Sequence, residues 1–342
     1  MGNGCQKAAV TFYYGKQRVR QREYHICISA ALSINLHSME PFEIHIMGCG
    51  SALPTTKHNA SSQIIRTGNK LFMIDCGEGT QLQLRRHHIH FSFINHIFIS
   101  HLHGDHCFGL IGLISTFGLL GRTAPLHIYA NSKLEELMKP HIEFFGKGMN
   151  FPVFFHHIDC STHGIIYEDK TLTVETLPLN HRIPCCGFLF REKPKKRHLI
   201  GDIVEYYNIP AYKRNAIKDG EDYITPEGET IPNSKLTRDP DPSRSYAYCS
   251  DTLPCPGNCE YLKGVDLLYH EATFADSEKE RAAITHHSTA RQAAEIARQA
   301  GVKRLVLGHF SSRYDNEDTL LAQAQEIFPD SLTANEGECY AI

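Results

Sequence analysis

The sequence predicts an α/β fold with buried sheets, and three observations lead to this prediction. From about residue 43 to the end, short apolar runs alternate with segments of helical length, a pattern typical of strands alternating with helices. With 342 residues, of which 42% are hydrophobic, the chain can bury one large layered core or two modest ones. Histidine and aspartate residues directly follow several apolar runs, as expected where sites form at the carboxyl ends of buried strands.

The strands are predicted at short, largely apolar runs, and the helices at longer segments between them. The predicted strands are residues 44–47, 71–74, 94–99, 126–129, 172–174, 246–248, 265–269 and 305–307. The predicted helices are residues 79–88, 107–119, 132–145, 288–300 and 317–327. The helix at 288–300 has well-defined ends, because Thr289 and Gln292 form a capping-box pattern and Gly301 follows its last turn.

Residues 191–246 interrupt the alternation, and we interpret them as an inserted arm that projects from the core. The segment is polar and rich in Pro and Gly, which favours a surface segment over a core element. Its first part, residues 191–214, has seven Lys or Arg against three acidic residues, whereas residues 215–246 have four against seven. A solvated loop is the alternative that composition alone favours.

The net charge limits what can be expected of a nucleic-acid partner, and the cysteine usage indicates the cellular compartment. The formal net charge is −3 at pH 7, so any basic surface for a nucleic acid must be local. The twelve cysteines are dispersed through the chain, unlike those of small disulfide-rich domains, and we predict a reducing, cytoplasmic compartment. Cys255 and Cys259 form a single zinc-like pair without a second one, so both are predicted to be ordinary core or loop cysteines.

Residues 1–38 are interpreted as an N-terminal extension, disordered or arising from a misassigned start. Basic residues precede the apolar run 26–36, an order that superficially resembles a signal peptide, but Ser29 and Ser33 interrupt the run. Met39 and a Glu-Pro step then precede the first predicted strand, and we favour an upstream extension over export. No apolar stretch reaches the roughly 18 residues that span a bilayer, so we expect no membrane partner.

Four potential metal ligands follow directly on the predicted strand at residues 94–99: His101, His103, Asp105 and His106. We expect Gly104 to permit a sharp turn that brings the last two round to the first two. Imidazole and carboxylate ligands without thiolate suit zinc, manganese or iron, and zinc is the commonest choice. This cluster is therefore predicted to be a metal site.

Ligand-type residues recur after later apolar runs, at His181, Asp251, His270 and His309. Together with the first cluster they exceed what one metal needs, and they fit two ions about 3.5–4 Å apart that share a carboxylate. Asp251 is the predicted bridge. The seven ligand candidates are His101, His103, Asp105, His106, His181, Asp251 and His309.

These motifs resemble those of the metallo-β-lactamase superfamily. Residues 101–106 are similar to its HxHxDH signature, and its other metal-site motifs are matched, in order, by Asp75, His181, Asp251 and His309. The resemblance implies a four-layer αββα sandwich, here taken as residues 39–342 with the arm inserted. It also implies two Zn²⁺ ions per subunit, one held by His101, His103, His181 and Asp251, and the other by Asp105, His106, Asp251 and His309.

Further residues resemble the ribonuclease Z family within this superfamily: residues 270–273, 287–289 and 309–314. The insertion also lies where that family has its flexible tRNA-binding arm. The resemblance implies a zinc-dependent endoribonuclease that removes the 3′ trailer of precursor tRNA by hydroxide attack on a phosphodiester and leaves a 3′-hydroxyl on the tRNA. It further implies a homodimer in which the arm of one subunit serves substrate bound at the other.

Catalytic roles follow from what the reaction requires. Phosphodiester cleavage needs a hydroxide near neutral pH, stabilisation of charge on the phosphoryl oxygens and a proton for the leaving oxygen. By the resemblance, Asp105 would hold and deprotonate the attacking water, and His287 would stabilise the transition state or protonate the leaving group, oriented by Glu271. A histidine at a helix start without a catalytic role is the alternative for His287.

Basic and polar residues are expected to bind the tRNA. Ser311 and Arg313 are expected to contact a phosphate near the site, although a surface ion pair is an equal alternative for Arg313. Asn59, in a neighbouring loop, is also expected to bind substrate. Contacts to the tRNA body would make binding salt-dependent rather than sequence-specific. The residues expected to make them are Lys195, Lys196, Arg197, Lys213 and Arg214.

Two segments depart from the family's pattern. In residues 54–59, Thr56 and His58 stand where many members have the lysine and arginine of PxKxRN. This leaves open the cleavage position relative to the discriminator nucleotide and the CCA end. In the insertion, residues 208–212 lack the Gly-Pro step that is usual in the family's arm.

Two other functions are alternatives. The first is a different enzyme on the same two-zinc core, such as a small-molecule phosphodiesterase or an arylsulfatase-like hydrolase that uses the insertion as a lid. The second is a non-catalytic nucleic-acid-binding subunit. Ligand candidates at every motif argue against the second, because a scaffold has no need of an open metal position.

Overall fold

The computed structural model of the protein describes residues 40–53 and 55–342. The predicted N-terminal extension, residues 1–38, and Pro54 lie outside the described residues. Within the described ranges, every helix is too short or too polar to cross a membrane.

The strands occur at the predicted apolar runs and at several further positions. They are β1 Phe42–Gly48, β2 Ser62–Thr67, β3 Lys70–Ile74, β4 Ile94–Phe98, β5 Leu126–Ala130, β6 Val153–His157, β7 Gly164–Glu168, β8 Leu172–Pro178, β9 Cys186–Glu192, β10 His198–Leu199, β11 Tyr223–Ile224, β12 Thr230–Ile231, β13 Thr237–Arg238, β14 Ser245–Cys249, β15 Leu267–Glu271, β16 Leu305–Gly308, β17 Ser331–Thr333 and β18 Cys339–Ala341.

The helices include all five predicted ones, and the capping box predicted at Thr289 is confirmed. They are α1 Thr80–Arg86, α2 Gly104–Cys107, α3 Leu110–Leu119, α4 Lys133–Phe145, α5 Gly201–Tyr206, α6 Ala211–Lys218, α7 Asn233–Leu236, α8 Lys279–Thr285, α9 Ala290–Ala300 and α10 Asp318–Gln325. Short 3-10 turns lie at Phe91–Phe93, Pro256–Cys259 and Asp276–Glu278.

Two seven-stranded sheets face each other. The order of the first is β18-β1-β2-β3-β4-β5-β6, and that of the second is β17-β16-β15-β14-β9-β8-β7. Three of the strands that precede predicted ligands are parallel to a neighbour: β4 to β3 in the first sheet, and β14 and β16 to β15 in the second. His181 instead follows β8, which is antiparallel to both of its neighbours. Parallel strands end at a common edge, which collects their following residues in one place.

The core between the sheets is aromatic. Phe98 of β4 contacts Phe188 and Phe190 of β9, with ring centroids 5.5 and 5.6 Å apart. Phe72 of β3 faces this core, whereas its neighbour Met73 belongs to a second cluster on the other side of the sheet. Because side chains alternate along a strand, β3 is apolar on both faces and both are covered.

Helices cover the outer faces of the two sheets. Leu113 and Phe117 of α3 and Leu134 of α4 belong to the outer cluster of the first sheet. On the second sheet, α9 packs on β15 and β16 and α10 packs on α9. The predicted four-layer αββα sandwich is therefore confirmed.

The predicted helix at residues 107–119 is wrong at its start, because α2 and α3 are separated at Phe108 and Gly109. A Cβ on Gly109 would lie 2.1 Å from the Gly77 carbonyl oxygen, so only glycine allows this approach of the two backbones. The expected role of Gly104 also changes. Its φ is not positive, but a Cβ there would lie 2.3 Å from the Phe108 ring. Gly104 thus makes room for an aromatic ring.

The inserted arm is folded rather than a solvated loop. Strands β9 and β14 of the second sheet end and begin at Glu192 and Ser245, so the insertion comprises residues 193–244. It contains α5 to α7 and two small antiparallel strand pairs, β10 with β13 and β11 with β12. It also has a core of its own, formed by Val204, Ile209, Ile217, Tyr223, Ile231 and Leu236.

Candidate metal centre

The site lies at the edge of the sandwich where strands of both sheets end. His101 follows β4, Asp251 follows β14 and His309 directly follows β16. The backbones of Asp75, Asp251 and His309 are left-handed, with φ between 55° and 58°. This conformation costs a non-glycine residue about 1–3 kcal/mol and is typical of functional sites.

One group of ligand-type side chains gathers around the first two histidines. His101 Nε2 lies 3.0 Å from His103 Nδ1, which lies 3.2 Å from His181 Nε2. Asp251 Oδ1 lies 3.8 Å from His101 Nε2 and 3.9 Å from His181 Nε2. One ligand atom from each of these four residues lies within 4.8 Å of the others.

A second group shares Asp251. Its Oδ2 lies 3.1 Å from His106 Nε2 and 3.2 Å from His309 Nε2. Asp105 Oδ2 lies 3.5 and 3.6 Å from the same two nitrogens. Asp251 therefore presents one carboxylate oxygen to each group, as a bridge between two cations does. The structure brings all seven predicted ligand candidates together.

The chemistry of the donor set fits metal ions. His106 Nε2 and His309 Nε2 are buried and have no hydrogen-bond partner among the described residues. Leaving a buried polar atom without a partner costs about 1–3 kcal/mol. A cation between these nitrogens and the two carboxylates would satisfy both of them.

Hydrogen bonds to two side chains and one backbone carbonyl fix the orientation of three of the histidines. His106 Nδ1 donates to Asp75 Oδ2 at 2.7 Å, and His309 Nδ1 donates to Thr273 Oγ1 at 3.0 Å. His181 Nδ1 donates to the His286 carbonyl oxygen at 3.1 Å. Each of these bonds leaves Nε2 as the lone-pair atom facing the cluster, the usual arrangement around metal-binding histidines.

Asp75 and His270 match the sequence motifs but lie outside the ligand groups. Asp75 is fully buried behind His106, where its carboxylate also accepts hydrogen bonds from Ser100 and Tyr248. His270 Nδ1 donates to the Glu271 carbonyl oxygen at 2.8 Å. Asp75 directly follows β3, and His270 lies near the end of β15. A position near a strand end does not show whether a side chain faces the ligand groups or lies behind them.

His287 and Glu271 form a buried pair beside the cluster. His287 Nδ1 donates to Glu271 Oε1 at 2.9 Å, and Glu271 also accepts the backbone N–H groups of Thr252 and Ser288 at 2.7 and 3.0 Å. Burial opposes the charged imidazolium, but the Glu271 carboxylate outweighs it and raises the pKa of His287 to about 9. The ring stacks on His309 with centroids 5.4 Å apart, so a proton donor lies next to the ligand groups.

A cavity of about 440 Å³ opens over the two groups. Besides Asp105, Asp251 and His287, it is lined by Phe108 and Arg182, neither of which was predicted. Phe108 is 71% exposed, and within the described ranges no carboxylate pairs with the Arg182 side chain. Phe108 lies two residues after His106, the last ligand candidate of the first cluster. This position was a signal in the sequence, but the exposure of the ring could not be read from it.

The residues predicted to bind phosphate near the site do not line this cavity. Arg313 pairs with Glu278 at 2.7 Å and lies over the Phe274 ring, while its Nε donates to Ser311 Oγ at 3.0 Å. The backbone N–H of Asn59 donates to Glu336 at 2.7 Å. Arg313 thus forms a surface ion pair in this structure, and its expected phosphate contact stays a prediction.

The basic residues of the arm fall into two kinds. Lys195, Lys196 and Arg197 form ion pairs with Glu192, Asp219 and Asp239 at 2.9, 2.8 and 2.7 Å. Lys213 and Arg214, both on α6, are exposed and form no ion pair with any described residue. Arg214 Nε donates to the Ile209 carbonyl oxygen at 3.1 Å, and Lys213 lies over the Tyr212 ring. A cation without a carboxylate partner can bind a phosphate without first breaking an ion pair, so α6 is the better candidate surface.

Cys255 and Cys259 are the predicted ordinary loop cysteines. Cys255 Sγ donates to the Leu253 carbonyl oxygen at 3.3 Å, and Cys259 lies against the carbonyl oxygen of Ile296 on α9. Neither belongs to a group of ligand-type side chains in the described part of the chain.

Comparison with known proteins agrees with this geometry. A family model described as Anti-Pycsar protein Apyc1 matches residues 42–202. A ribonuclease Z of Bacteroides fragilis is 59% identical over 304 residues, which cover 89% of this chain and 100% of that protein. A ribonuclease Z of Porphyromonas gingivalis is 53% identical over 298 residues, covering 87% of this chain and 98% of that protein.

Solved structures share the fold. The short form of human tRNase Z has a TM-score of 0.64 at 24% identity and covers 88% of this chain and 99% of its own. The metallo-β-lactamase fold protein YhfI from Bacillus subtilis has a TM-score of 0.62 at 17% identity, covering 88% of this chain and 100% of its own.

Two facing sheets between helical layers, with a His/Asp cluster at their common edge, define a protein of the metallo-β-lactamase fold. The identity to curated relatives over most of the chain is more specific than the fold. The chain belongs to the ribonuclease Z family.

Proposed function

We propose that the protein is a zinc-dependent endoribonuclease that removes the 3′ trailer of precursor tRNA and leaves a 3′-hydroxyl on the tRNA. The observation that carries the proposal is the position of Asp251, whose two carboxylate oxygens face two separate groups of ligand-type side chains. The His287–Glu271 pair lies beside them at the same cavity. Family membership supplies the substrate class.

The two groups would hold one zinc ion each. The first consists of His101, His103, His181 and Asp251, and the second of Asp105, His106, His309 and Asp251. When bound, the ions would lower the pKa of a water molecule and offset negative charge on the phosphoryl oxygens. Nitrogen and oxygen ligands without thiolate suit zinc.

The protein's own residues would then handle the protons. Asp105 would hold the attacking water and accept its proton at the cavity floor. His287 would donate its Nε2 proton to the departing 3′ oxygen as the phosphorus–oxygen bond breaks, and Glu271 would keep the ring charged and oriented through Nδ1. A positioned acid of this kind contributes about 10²- to 10⁴-fold to a rate.

The rim of the cavity would position the nucleotides that flank the cut. Phe108 presents an exposed ring beside the ligand groups, and base–aromatic stacking contributes about 1–3 kcal/mol per base. We expect Phe108→Ala to raise KM for precursor tRNA about tenfold, and Phe108→Tyr to leave it nearly unchanged. Steady-state kinetics on one precursor would measure this, and equal KM values for the alanine variant and the parent would contradict it.

The arm would bind the tRNA body through phosphate contacts, chiefly from Lys213 and Arg214 on α6. Each phosphate contact contributes about 0.7–0.9 to the slope of log affinity against log salt. We expect the Lys213→Ala/Arg214→Ala variant to bind precursor tRNA more weakly and to reduce that slope by roughly 1.4–1.8, with kcat little changed. Filter binding between low and moderate salt would measure it.

Lys196→Ala is the matched control for the arm, since its ammonium group is already paired with Asp219. Exposed ion pairs contribute only about 0–1 kcal/mol, and we expect a much smaller change in slope. Equal effects of the two changes would show that pairing within the arm does not decide which cations bind the tRNA.

The resemblance also supports a homodimer, and the dispersed cysteines support a reducing, cytoplasmic compartment. Exposed apolar side chains at Leu119 of α3 and at Phe144 and Phe145 of α4 offer a surface for a second copy. Sedimentation velocity at micromolar concentration tests the dimer.

The test of the proposed function is cleavage of a 3′-extended precursor tRNA beside an unstructured RNA of the same length and trailer. A single cut in the precursor, and none in the unstructured RNA, is the expected result, and mapping that cut also gives its position relative to the CCA. The cavity of about 440 Å³ favours a second candidate, hydrolysis of a small phosphodiester. Activity on bis-p-nitrophenyl phosphate without cleavage of the precursor would establish that candidate instead.

A further inference from the structure

The loop between β1 and β2 connects the metal centre to a buried cluster of charges. At one end, the Ala52 N–H donates to Asp105 Oδ2 at 2.9 Å, and the Ala52 backbone is left-handed, with φ of 53°. The neighbouring Ser51 N–H donates to the carbonyl oxygen of Phe310, the residue after His309. Residues 51 and 52 of the loop are thus hydrogen-bonded both to the Asp105 carboxylate and to the chain just after β16.

At the other end of the loop, His58 is 6% exposed and lies between two carboxylates. Its Nδ1 lies 3.0 Å from Glu336 Oε2, and its Nε2 lies 3.1 Å from Glu317 Oε1. A ring whose two nitrogens both face carboxylates donates to both of them when it is positively charged. Glu336 also accepts the Asn59 N–H at 2.7 Å, which fixes the backbone next to His58.

This cluster is not a second metal site, although Cys49, His58 and Glu336 offer ligand-type atoms within 4.8 Å of one another. The Cys49 thiol donates to the Ala334 carbonyl oxygen at 3.4 Å, and burial together with Glu336 raises its pKa well above the ordinary range. Every side-chain nitrogen and oxygen involved has a partner here, unlike His106 and His309 in the metal centre.

We infer that His58 is a positioning residue, whose contacts with Glu317 and Glu336 hold the loop so that the Ala52 amide keeps Asp105 oriented toward the cavity. The inference rests on the proposed function only in assigning Asp105 a part in the reaction. The hydrogen bonds themselves exist without it. Groups that orient a metal-binding side chain from behind typically affect activity about 10- to 100-fold.

A charge on His58 that holds the loop makes the loop sensitive to high pH. Burial lowers the pKa of His58, but the hydrogen bonds and charges of Glu336 and Glu317 outweigh it and raise the pKa above 6.5. The remaining groups facing the cluster are the neutral Cys49 thiol and Lys57, whose ammonium lies 2.5 Å from Glu317. A group with a raised pKa stabilises the folded state fully below its unfolded pKa and loses this effect as pH rises through the folded value. The loop is therefore released on the alkaline side.

The test uses zinc-loaded protein, with bis-p-nitrophenyl phosphate as substrate and hydrogen exchange of the Ala52 amide as a readout that needs no activity. We expect His58→Gln to lower kcat about tenfold with KM nearly unchanged, and to speed exchange at Ala52. His58→Arg keeps two donors and a charge that does not titrate, and we expect it to restore the slow exchange at high pH. Glu317→Gln is expected to move the alkaline decline of kcat to lower pH.

Lys57→Ala is the matched control, because it removes an exposed partner of the same Glu317 and leaves both carboxylate contacts of His58 in place. We expect no increase in Ala52 exchange. Unchanged kcat and exchange in a folded His58→Gln protein would overturn the inference. If that variant does not fold, an alkaline limb unmoved in Glu317→Gln would overturn it equally. If the protein does not cleave tRNA, the proposed function fails. The measurements of kcat on bis-p-nitrophenyl phosphate and of Ala52 exchange would still test the role of His58.

Discussion

Replacing Asp251 with asparagine is expected to lower kcat for precursor tRNA cleavage by at least about a thousandfold, because both groups of ligand-type side chains lose their shared carboxylate. Asparagine is similar in size, and its amide can still pair with Ser250, whose Oγ donates to Asp251 Oδ2 at 2.8 Å. The fold should therefore be kept. Zinc content, measured by inductively coupled plasma mass spectrometry, should fall below two ions per chain.

Asp276→Asn is the control for this change, since its carboxylate lies outside the cavity and is partly exposed. It should retain full activity and full zinc content. If an Asp251→Asn protein still held two zinc ions and cleaved within a few-fold of the parent rate, Asp251 would not be the bridge between the two groups.

Replacing His287 with alanine is expected to lower kcat for precursor tRNA about 10²- to 10⁴-fold while zinc content stays at two. In precursor tRNA cleavage the leaving group is the 3′ oxygen of the tRNA, which needs a proton. In contrast, p-nitrophenolate is a good leaving group without a proton. The same variant should hence hydrolyse bis-p-nitrophenyl phosphate at close to the parent rate. Comparing kcat on the two substrates measures the contribution of the acid alone.

Glu271→Gln supplies the matched variant for His287. It keeps a hydrogen-bond acceptor for Nδ1 but removes the charge that holds the pKa of His287 near 9. Because burial then dominates, His287 should be neutral at pH 7, and cleavage of precursor tRNA should fall about 10- to 100-fold. If His287→Ala lost activity equally on both substrates, or lost zinc, His287 would act on the metal centre and not on the leaving group.

Much of the site could be predicted from sequence because its residues follow buried strands. His101, Asp251 and His309 each come after an apolar run, and parallel strands place such residues at one edge. The same reasoning could not separate Asp75, which holds His106 from behind, from the residues that face the cluster. Whether a residue faces the cluster or lies behind it depends on how the sandwich packs. The linear sequence pattern does not contain this information.

The parts of the fold that sequence reasoning missed have weak local patterns. Strand β2 includes the buried polar residues Ser62 and Gln63, and β7 is half-exposed at the sheet edge. The arm is short of long apolar runs, yet six scattered apolar residues build its core. Phe108 contributes an exposed ring to the site, and Ala52 contributes a backbone amide. Neither the exposure of a side chain nor backbone geometry can be read from residue types.

The most direct test of the proposed reaction is to cleave precursor tRNA in water enriched in ¹⁸O and to analyse both product ends by mass spectrometry. Attack by water on the phosphorus, with departure of the tRNA 3′ oxygen, predicts one ¹⁸O atom in the 5′-phosphate of the trailer and an unlabelled 3′-hydroxyl on the tRNA. A 2′,3′-cyclic phosphate on the tRNA, with no label on the trailer, would show attack by the neighbouring 2′-hydroxyl and contradict the account.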